Sequence, residues 1–329
     1  MTDSRRGKNR LVADRRYPKT PPKAPKPRKA PPAKRKTTRA KAKRGGIVGF
    51  FTGIIGWVFR FFFRLFLRAG LVAAIIIAGF VGYEYTTLPP VSEALDGRAR
   101  GSVQLLDRDS VAFAWRGDQF GGVVTADTVS PHLKNAVIAT EDRRFYSHFG
   151  ISPRGVASAV RINLSEGRGP LSGHGGSTIT QQTAKLLCLG VTFDPNAWKN
   201  EAEYVADCRR GSLYRKGKEA VYALAMELKY SKDEILSIYL NRAYMGGGAY
   251  GAAAAAERYF SKPASALSPQ EGAMIAGLLT APSSLAPTSN IERSQARAAT
   301  VLRLMNEQGF LTDEQTRAAQ ANPATLSDK

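Results

Sequence analysis

Two carboxylates stand in chemically suggestive surroundings. Glu141 opens the stretch EDRRFYSHFG (141–150), and Glu219 lies in RKGKEAVYALAMELKYSKDEILSIYLN (215–241). Between them runs GGSTITQQTAK (175–185), a glycine entry followed by a polar stretch. Two carboxylates facing one cleft suit the making or breaking of a glycosidic bond, because one handles a hydroxyl proton and the other manages charge at the leaving group. On a helix over 177–187, Ser177, Gln181 and Lys185 fall at i, i+4 and i+8 and share a face behind Gly175 and Gly176, an arrangement suited to gripping phosphate or sugar hydroxyls. Plainer readings stand beside each of these. The polar row is also what a solvated face looks like. Arg215 and Glu219 at i, i+4 form an ordinary intrahelical pair, Glu141 and Asp142 fit a helix end, and His148 fits a structural histidine.

The elements that must position these groups follow from charge and apolar patterning. The chain has 329 residues and a net charge of +21, of which residues 1–44 carry +16. That tail is rich in Pro and Lys and poor in apolar residues, so it cannot offset its chain entropy and is expected to be disordered. A nucleic-acid arm is the alternative, but an apolar segment follows directly, which favours a cytoplasmic anchor and no nucleic acid. Arg60, Arg64 and Arg68 recur every four residues beside Trp57, Phe61, Phe62, Phe63, Leu65 and Phe66, as on an amphipathic helix in the membrane interface. The run to Tyr83, extended back to Leu65 with Arg68 snorkelling, reaches the roughly 20 residues of one crossing. Leu88, Pro89 and Pro90 end it. The chain thus divides into a tail (1–44), an interface segment and single transmembrane helix (45–85), and an extracytoplasmic domain (86–329).

Within that domain, VQLLDRDSVAFAWR (103–116) suggests a hairpin, after which the pattern is helical. Ser130 before Pro131, and Ser152 before Pro153, read as helix starts. Ser231 with Glu234, Ser268 with Glu271 and Thr312 with Gln315 read as capping boxes. Val221, Leu224 and Leu228 mark one core face, and Ile235, Ile238, Tyr239 and Tyr244 another. Cys188 and Cys208 are either thiols or a disulfide closing a loop of roughly 20 residues, worth about 3 kcal/mol in theory.

In order along the chain, EDRRFYSHFGIS, GGSTITQQTAK, RKGKEA, KDEILSIYLNRAYMG and GAYGAAAAAERYF resemble the successive motifs of the peptidoglycan glycosyltransferase family, found in class A penicillin-binding proteins and monofunctional transglycosylases. The resemblance covers roughly 88–310. It implies a mainly α, lysozyme-like fold with a small membrane-proximal jaw, and polymerisation of lipid II by inversion with release of undecaprenyl pyrophosphate. It implies that Glu141 is the general base and that Glu219 assists at the pyrophosphate, through a divalent cation (Mg2+ or Mn2+). Lys185, Arg215 and Lys216 would neutralise phosphate charge. Ser177, Thr180, Gln181 and Gln182 would position substrate beside Asp142, with Phe145 and His148 shaping the first motif. It further implies a single-pass protein of the inner membrane, acting on lipid II and the growing strand alongside other cell-wall synthesis proteins.

The chain departs from the family pattern at Thr183, where Leu is usual, and at Leu186, where Asn is usual. The stretch from Cys188 to Tyr214 is longer than the usual connection and reads as a mobile loop over the cleft. No Ser-x-x-Lys and no Lys-Thr-Gly occurs, so the chain is either monofunctional or ends where a transpeptidase would begin. A glycan hydrolase and an inactive membrane-tethered scaffold are the rivals. The basic residues, which suit a pyrophosphate leaving group, weigh against the first, and retention of both carboxylates weighs against the second.

Overall fold

The computed structural model describes residues 47–96, 103–109, 112–116, 119–170 and 175–327. The basic tail expected to be disordered, 1–44, lies outside the described residues. The chain divides into two units between residues 63 and 64, inside the first helix.

That helix, α1 (Ile47–Thr87), has 41 residues. Its stretch Phe50–Thr87 is long and apolar enough to cross a membrane. The expected interface segment and crossing are therefore one continuous helix. Leu88, Pro89 and Pro90 end it, since proline lacks the N–H that a further turn needs. The short α2 (Val91–Leu95) follows. Its last carbonyls are satisfied from outside: the Arg242 guanidinium donates to Ala94 (2.6 Å), Glu93 (3.3 Å) and Asp96 (2.8 Å).

The expected hairpin is present as β1 (Val103–Leu106) and β2 (Ala112–Arg116), antiparallel with Val103 opposite Arg116; residues 110 and 111 of its turn lie outside the described residues. A second pair, β3 (Gln119–Phe120) with β4 (Ala249–Tyr250), is parallel, and the Phe120 and Tyr250 rings stack at 5.3 Å.

The rest is helical: α3 (Pro131–Glu141), α4 (Pro153–Ser165), α5 (Ile179–Leu186), α6 (Glu201–Arg209), α7 (Leu213–Lys229), α8 (Lys232–Arg242), α9 (Ala252–Phe260), α10 (Pro269–Leu278), α11 (Pro282–Leu285), α12 (Ile291–Glu307) and α13 (Asp313–Ala321). The caps fall where the sequence puts them. Ser130 and Ser152 accept from His132 and Gly155, and the three expected capping boxes all form. One core face differs. On α7 the buried apolar residues are Tyr222, Ala223, Ala225 and Met226, whereas Leu228 is exposed and Val221 and Leu224 are half-buried. Small residues thus share the buried face of α7 with Tyr222 and Met226, and α7 packs on α5.

Two helix groups carry the core. In one, α3 packs on α10 and α12; in the other, α5 packs on α7 and α8. In the first group a Cβ added at Gly272 would meet the Leu133 backbone nitrogen at 2.8 Å, so the backbones of α10 and α3 are nearly in contact. In the second, α8 is buried continuously from Ile235 to Asn241. The Asn241 amide ties it to the loop after β3 by accepting from Val124 N–H and donating to Val124 C=O.

Candidate active site

Glu141 is the last residue of α3 and comes from the first helix group. Asp142 ends the helix and turns its carboxylate back: Oδ2 accepts from the Ile179 N–H (3.2 Å) and pairs with His148 Nε2 (2.8 Å). Phe145, wholly buried, lies edge-on to His148, with the Lys232 ammonium 4.6 Å above its ring. Asp142, Phe145 and His148 thus form a floor that fixes the end of α3 against the start of α5.

The Glu141 carboxylate accepts from Gln182 Nε2 on α5 (2.8 Å), and Gln182 Oε1 in turn accepts from the Tyr239 hydroxyl of α8 (3.2 Å). Burial is the largest influence on Glu141 and raises its pKa; the Gln182 hydrogen bond and the Arg297 charge oppose it, and Asp142 adds to it. Tyr239 is fully buried, and burial together with the Glu141 charge keeps its hydroxyl well above the ordinary phenol range, so it serves as a donor. A cleft of about 520 Å³ opens beside Glu141, lined also by Asp142, Arg143, Arg144, Arg154 and Ser177.

The second carboxylate is held differently. Glu219, on α7, is 1% exposed, yet both oxygens are occupied: Oε2 accepts from Arg215 (2.6 Å) and Oε1 from Lys216 (2.5 Å). Lys216 also donates to Ser177 Oγ (2.6 Å). Lys185, one helix away on α5, sits in the same positive field. Burial is the main cause of its lowered pKa, followed by repulsion from Arg215 and Arg209, while Glu219 pulls the other way. A site crowded with cations around one buried carboxylate is set up to accept a multiply charged anion.

One short segment joins the two carboxylates: Ser177 reaches the Glu219 cluster through Lys216, and Gln182 reaches Glu141. The expected polar row is corrected here. The helix begins at Ile179, capped by Thr178 in a capping box with Gln181, so Ser177 precedes the cap and is not on the helix face. Gln181 is buried, its side chain accepting from the Thr178 N–H. Thr180 is buried too and donates to Glu227 (2.5 Å). Both are engaged in holding α5; Gln182 and Lys185 are the half-buried members of the set. The signal for the correct start was in the sequence, as Thr-x-x-Gln, the same pattern read at Thr312. Arg154, Tyr239 and Arg297 were not anticipated as site residues. Tyr239 stood out only as an apolar position, and nothing in the local sequence marks Arg154 or Arg297.

Cys188 and Cys208 are bonded, with Cα atoms 5.2 Å apart. The stretch they close, read from sequence as a mobile loop, contains α6, capped by Asn200, and its own ring cluster of Phe193, Trp198 and Tyr204.

Donors for a divalent cation are poorly provided. Among the described residues no three His, Cys, Asp or Glu side chains converge, and the Glu219 oxygens already face cations. These residues do not fit a metal held by protein alone.

The family model described as Transglycosylase matches residues 111–306. The chain belongs to the transglycosylase family. Among relatives of this transglycosylase, Penicillin-binding protein 1A of Escherichia coli K12 is 36% identical over 77% of this chain and 28% of its own length. Penicillin-binding protein 1A of Aquifex aeolicus is also 36% identical, over 78% of this chain and 33% of its own. The chain therefore spans about a third of the length of these relatives. A crystal structure of Penicillin-Binding Protein 1A from Haemophilus influenzae aligns over 69% of this chain and 21% of that one at TM-score 0.38 and 22% identity, too distant to bear on the fold.

Proposed function

We propose that this transglycosylase polymerises lipid II into glycan strands by a single inverting displacement that releases undecaprenyl pyrophosphate. The observation that carries the reading is the unequal treatment of two carboxylates tied to one segment. Glu141, strengthened as a base by burial, opens on a cleft, and Glu219 is wrapped in cations.

In this reading Glu141 takes the proton from the acceptor sugar's 4-hydroxyl as that oxygen attacks the anomeric carbon, and Gln182 and Tyr239 hold its carboxylate in line. Arg215, Lys216 and Lys185 take up the negative charge that grows on the departing pyrophosphate. Glu219 orients Arg215 and Lys216 instead of meeting the phosphates itself. An α-linked donor giving a β product by inversion needs no enzyme nucleophile. The described side chains do not provide a site for Mg2+ or Mn2+; a divalent cation, if one takes part, would have to arrive with the substrate and would supply charge neutralisation at the leaving group.

The reading extends to location: α1 as a single crossing of the inner membrane, the tail 1–44 cytoplasmic, and residues 86–329 outside, acting on lipid II and the growing strand. Cell-wall synthesis proteins are partners under this reading.

Detergent-solubilised chain is expected to convert labelled lipid II to polymer, and Glu141→Gln to abolish conversion. Polymer formed by that variant at the unaltered rate removes Glu141 from the role of base. The same protein given finished polymer distinguishes synthesis from hydrolysis.

A further inference from the structure

Arg215 is fixed from two sides: Nη1 donates to Glu219 (2.6 Å), and Nε donates to the backbone carbonyl of Arg210 (2.8 Å). Arg210 directly follows α6, its N–H donating to the Asp207 carbonyl (3.0 Å) and its side chain pairing with Asp207 (3.4 Å), so its carbonyl moves with that helix. Gly211 and Ser212 alone separate it from α7, and the glycine leaves the connection pliable. None of the described side chains of α6 is buried, and its main contact with another element is the turn Cys188–Gly190. Besides a hydrogen bond from the Tyr204 hydroxyl to the Val191 carbonyl, what fastens α6 there is the bond between Cys208 and Cys188. The Cys188 end is rigid. It is buried, and residues 188, 189 and 190 all take the left-handed region (φ 49°, 54° and 76°), which only glycine adopts without cost. A Cβ on Gly190 would lie 3.1 Å from the Tyr222 ring, so the turn sits directly on α7. Cys188 and Leu189 accept an unfavourable backbone to turn the chain from α5 towards α6, and strain of this kind is kept where a position must be held.

We propose that the Cys188–Cys208 bond is a positioning element: it holds α6 so that the Arg210 carbonyl aims the Arg215 guanidinium at the pyrophosphate of the lipid-linked donor. The inference rests on the transglycosylase reading above and adds to it a redox-sensitive support from outside the shared motifs. With Nε on Arg210 and Nη1 on Glu219, the plane of the guanidinium is set and its other N–H groups are left for phosphate oxygens. Once the bond is cut, α6 is free to leave the turn; Arg215 keeps Glu219 but loses the contact that sets its plane. Both cysteines line a cavity of about 600 Å³ together with Tyr83, Trp198 and Arg215, so a small dithiol reaches them. Its thiolate attacks one sulfur and its second thiol closes on the first, leaving Cys188 and Cys208 as thiols and the reagent as a cyclic disulfide.

The test uses the full chain in detergent with labelled lipid II. Binding is read by fluorescence anisotropy in the Glu141→Gln background, so that substrate is not consumed. Breaking the bond, by a dithiol or by Cys188→Ser with Cys208→Ser, is expected to weaken binding about tenfold, as loss of one hydrogen bond to a charged group does. Reoxidation of the reduced protein restores affinity, and the dithiol leaves the double serine variant unchanged. Arg215→Lys keeps the charge but lacks the rigid fork that reaches Glu219 and the Arg210 carbonyl together, so in that background breaking the bond is expected to cost less than about twofold. A general loss of folding would weaken binding equally in both backgrounds. Unaltered affinity on breaking the bond, with otherwise wild-type protein making polymer, overturns this inference alone. An equal loss in the Arg215→Lys background overturns the route through Arg215. Wild-type protein that makes no polymer overturns the transglycosylase reading and this inference with it.

Discussion

As the base proposed above, Glu141 has to be ionised to accept a proton, and its surroundings make that harder than for a surface carboxylate. Burial raises its pKa, so under that proposal activity is expected to be lost as pH falls through a value above the usual carboxylate range. Arg297 counteracts this from α12 while its own Nη2 donates to Thr280. Arg297→Ala is therefore expected to shift the acidic limb of kcat/KM to higher pH; a limb that stays in place or moves down contradicts the electrostatic role. Under the same proposal the opposite limb is expected to follow Lys185, whose lowered pKa means that its charge is lost earlier than an exposed lysine's as pH rises. At this scale the sequence made Glu141 and Glu219 visible, because motifs are local. It could not reveal Arg297 or Tyr239, which reach Glu141 from positions 98 or more residues away by packing alone.

The elements follow from simpler rules. Caps were legible because each is decided within four residues, and Ser231 with Glu234 or Ser268 with Glu271 needs no tertiary help to form. The buried face of α7 was not legible from its large residues, because alanine adds little to an apolar periodicity yet permits the closest helix contact. The same logic identifies a weak point under Glu141. A Cβ at Gly272 meets Leu133 backbone at 2.8 Å and His132 carbonyl carbon at 3.0 Å, with no flexible side-chain tip to give way. Gly272→Ala is expected to lower stability by about 1–3 kcal/mol through overpacking and to reduce kcat by displacing α3. Chemical denaturation and turnover measured together check both; undiminished stability shows that α3 and α10 can separate freely.

For the whole molecule, charge and hydropathy were the informative quantities. They separated a basic tail from an apolar segment and the domain after it, and the apolar segment is one helix from Ile47 to Thr87. Arg60, Arg64 and Arg68 lie inside this helix, as residues with good helix propensity can. The chain is expected to remain with membranes in alkaline carbonate and to be released by detergent; release by carbonate excludes a crossing.

The end of α7 has a mechanical meaning. Lys229 donates to the carbonyls of Tyr85 and Leu88, and Tyr230 just beyond donates to that of Pro89, so α7 is fastened where the apolar helix stops. Glu219 stands on the same rod, roughly 15 Å along it at 1.5 Å per residue. With α1 in a bilayer, α7 works as a depth gauge: it sets the height of the cation cluster above the point where the chain leaves the lipid. A substrate whose phosphates ride on a lipid tail also has its height fixed by the bilayer, so the two need only find each other by sliding in a plane.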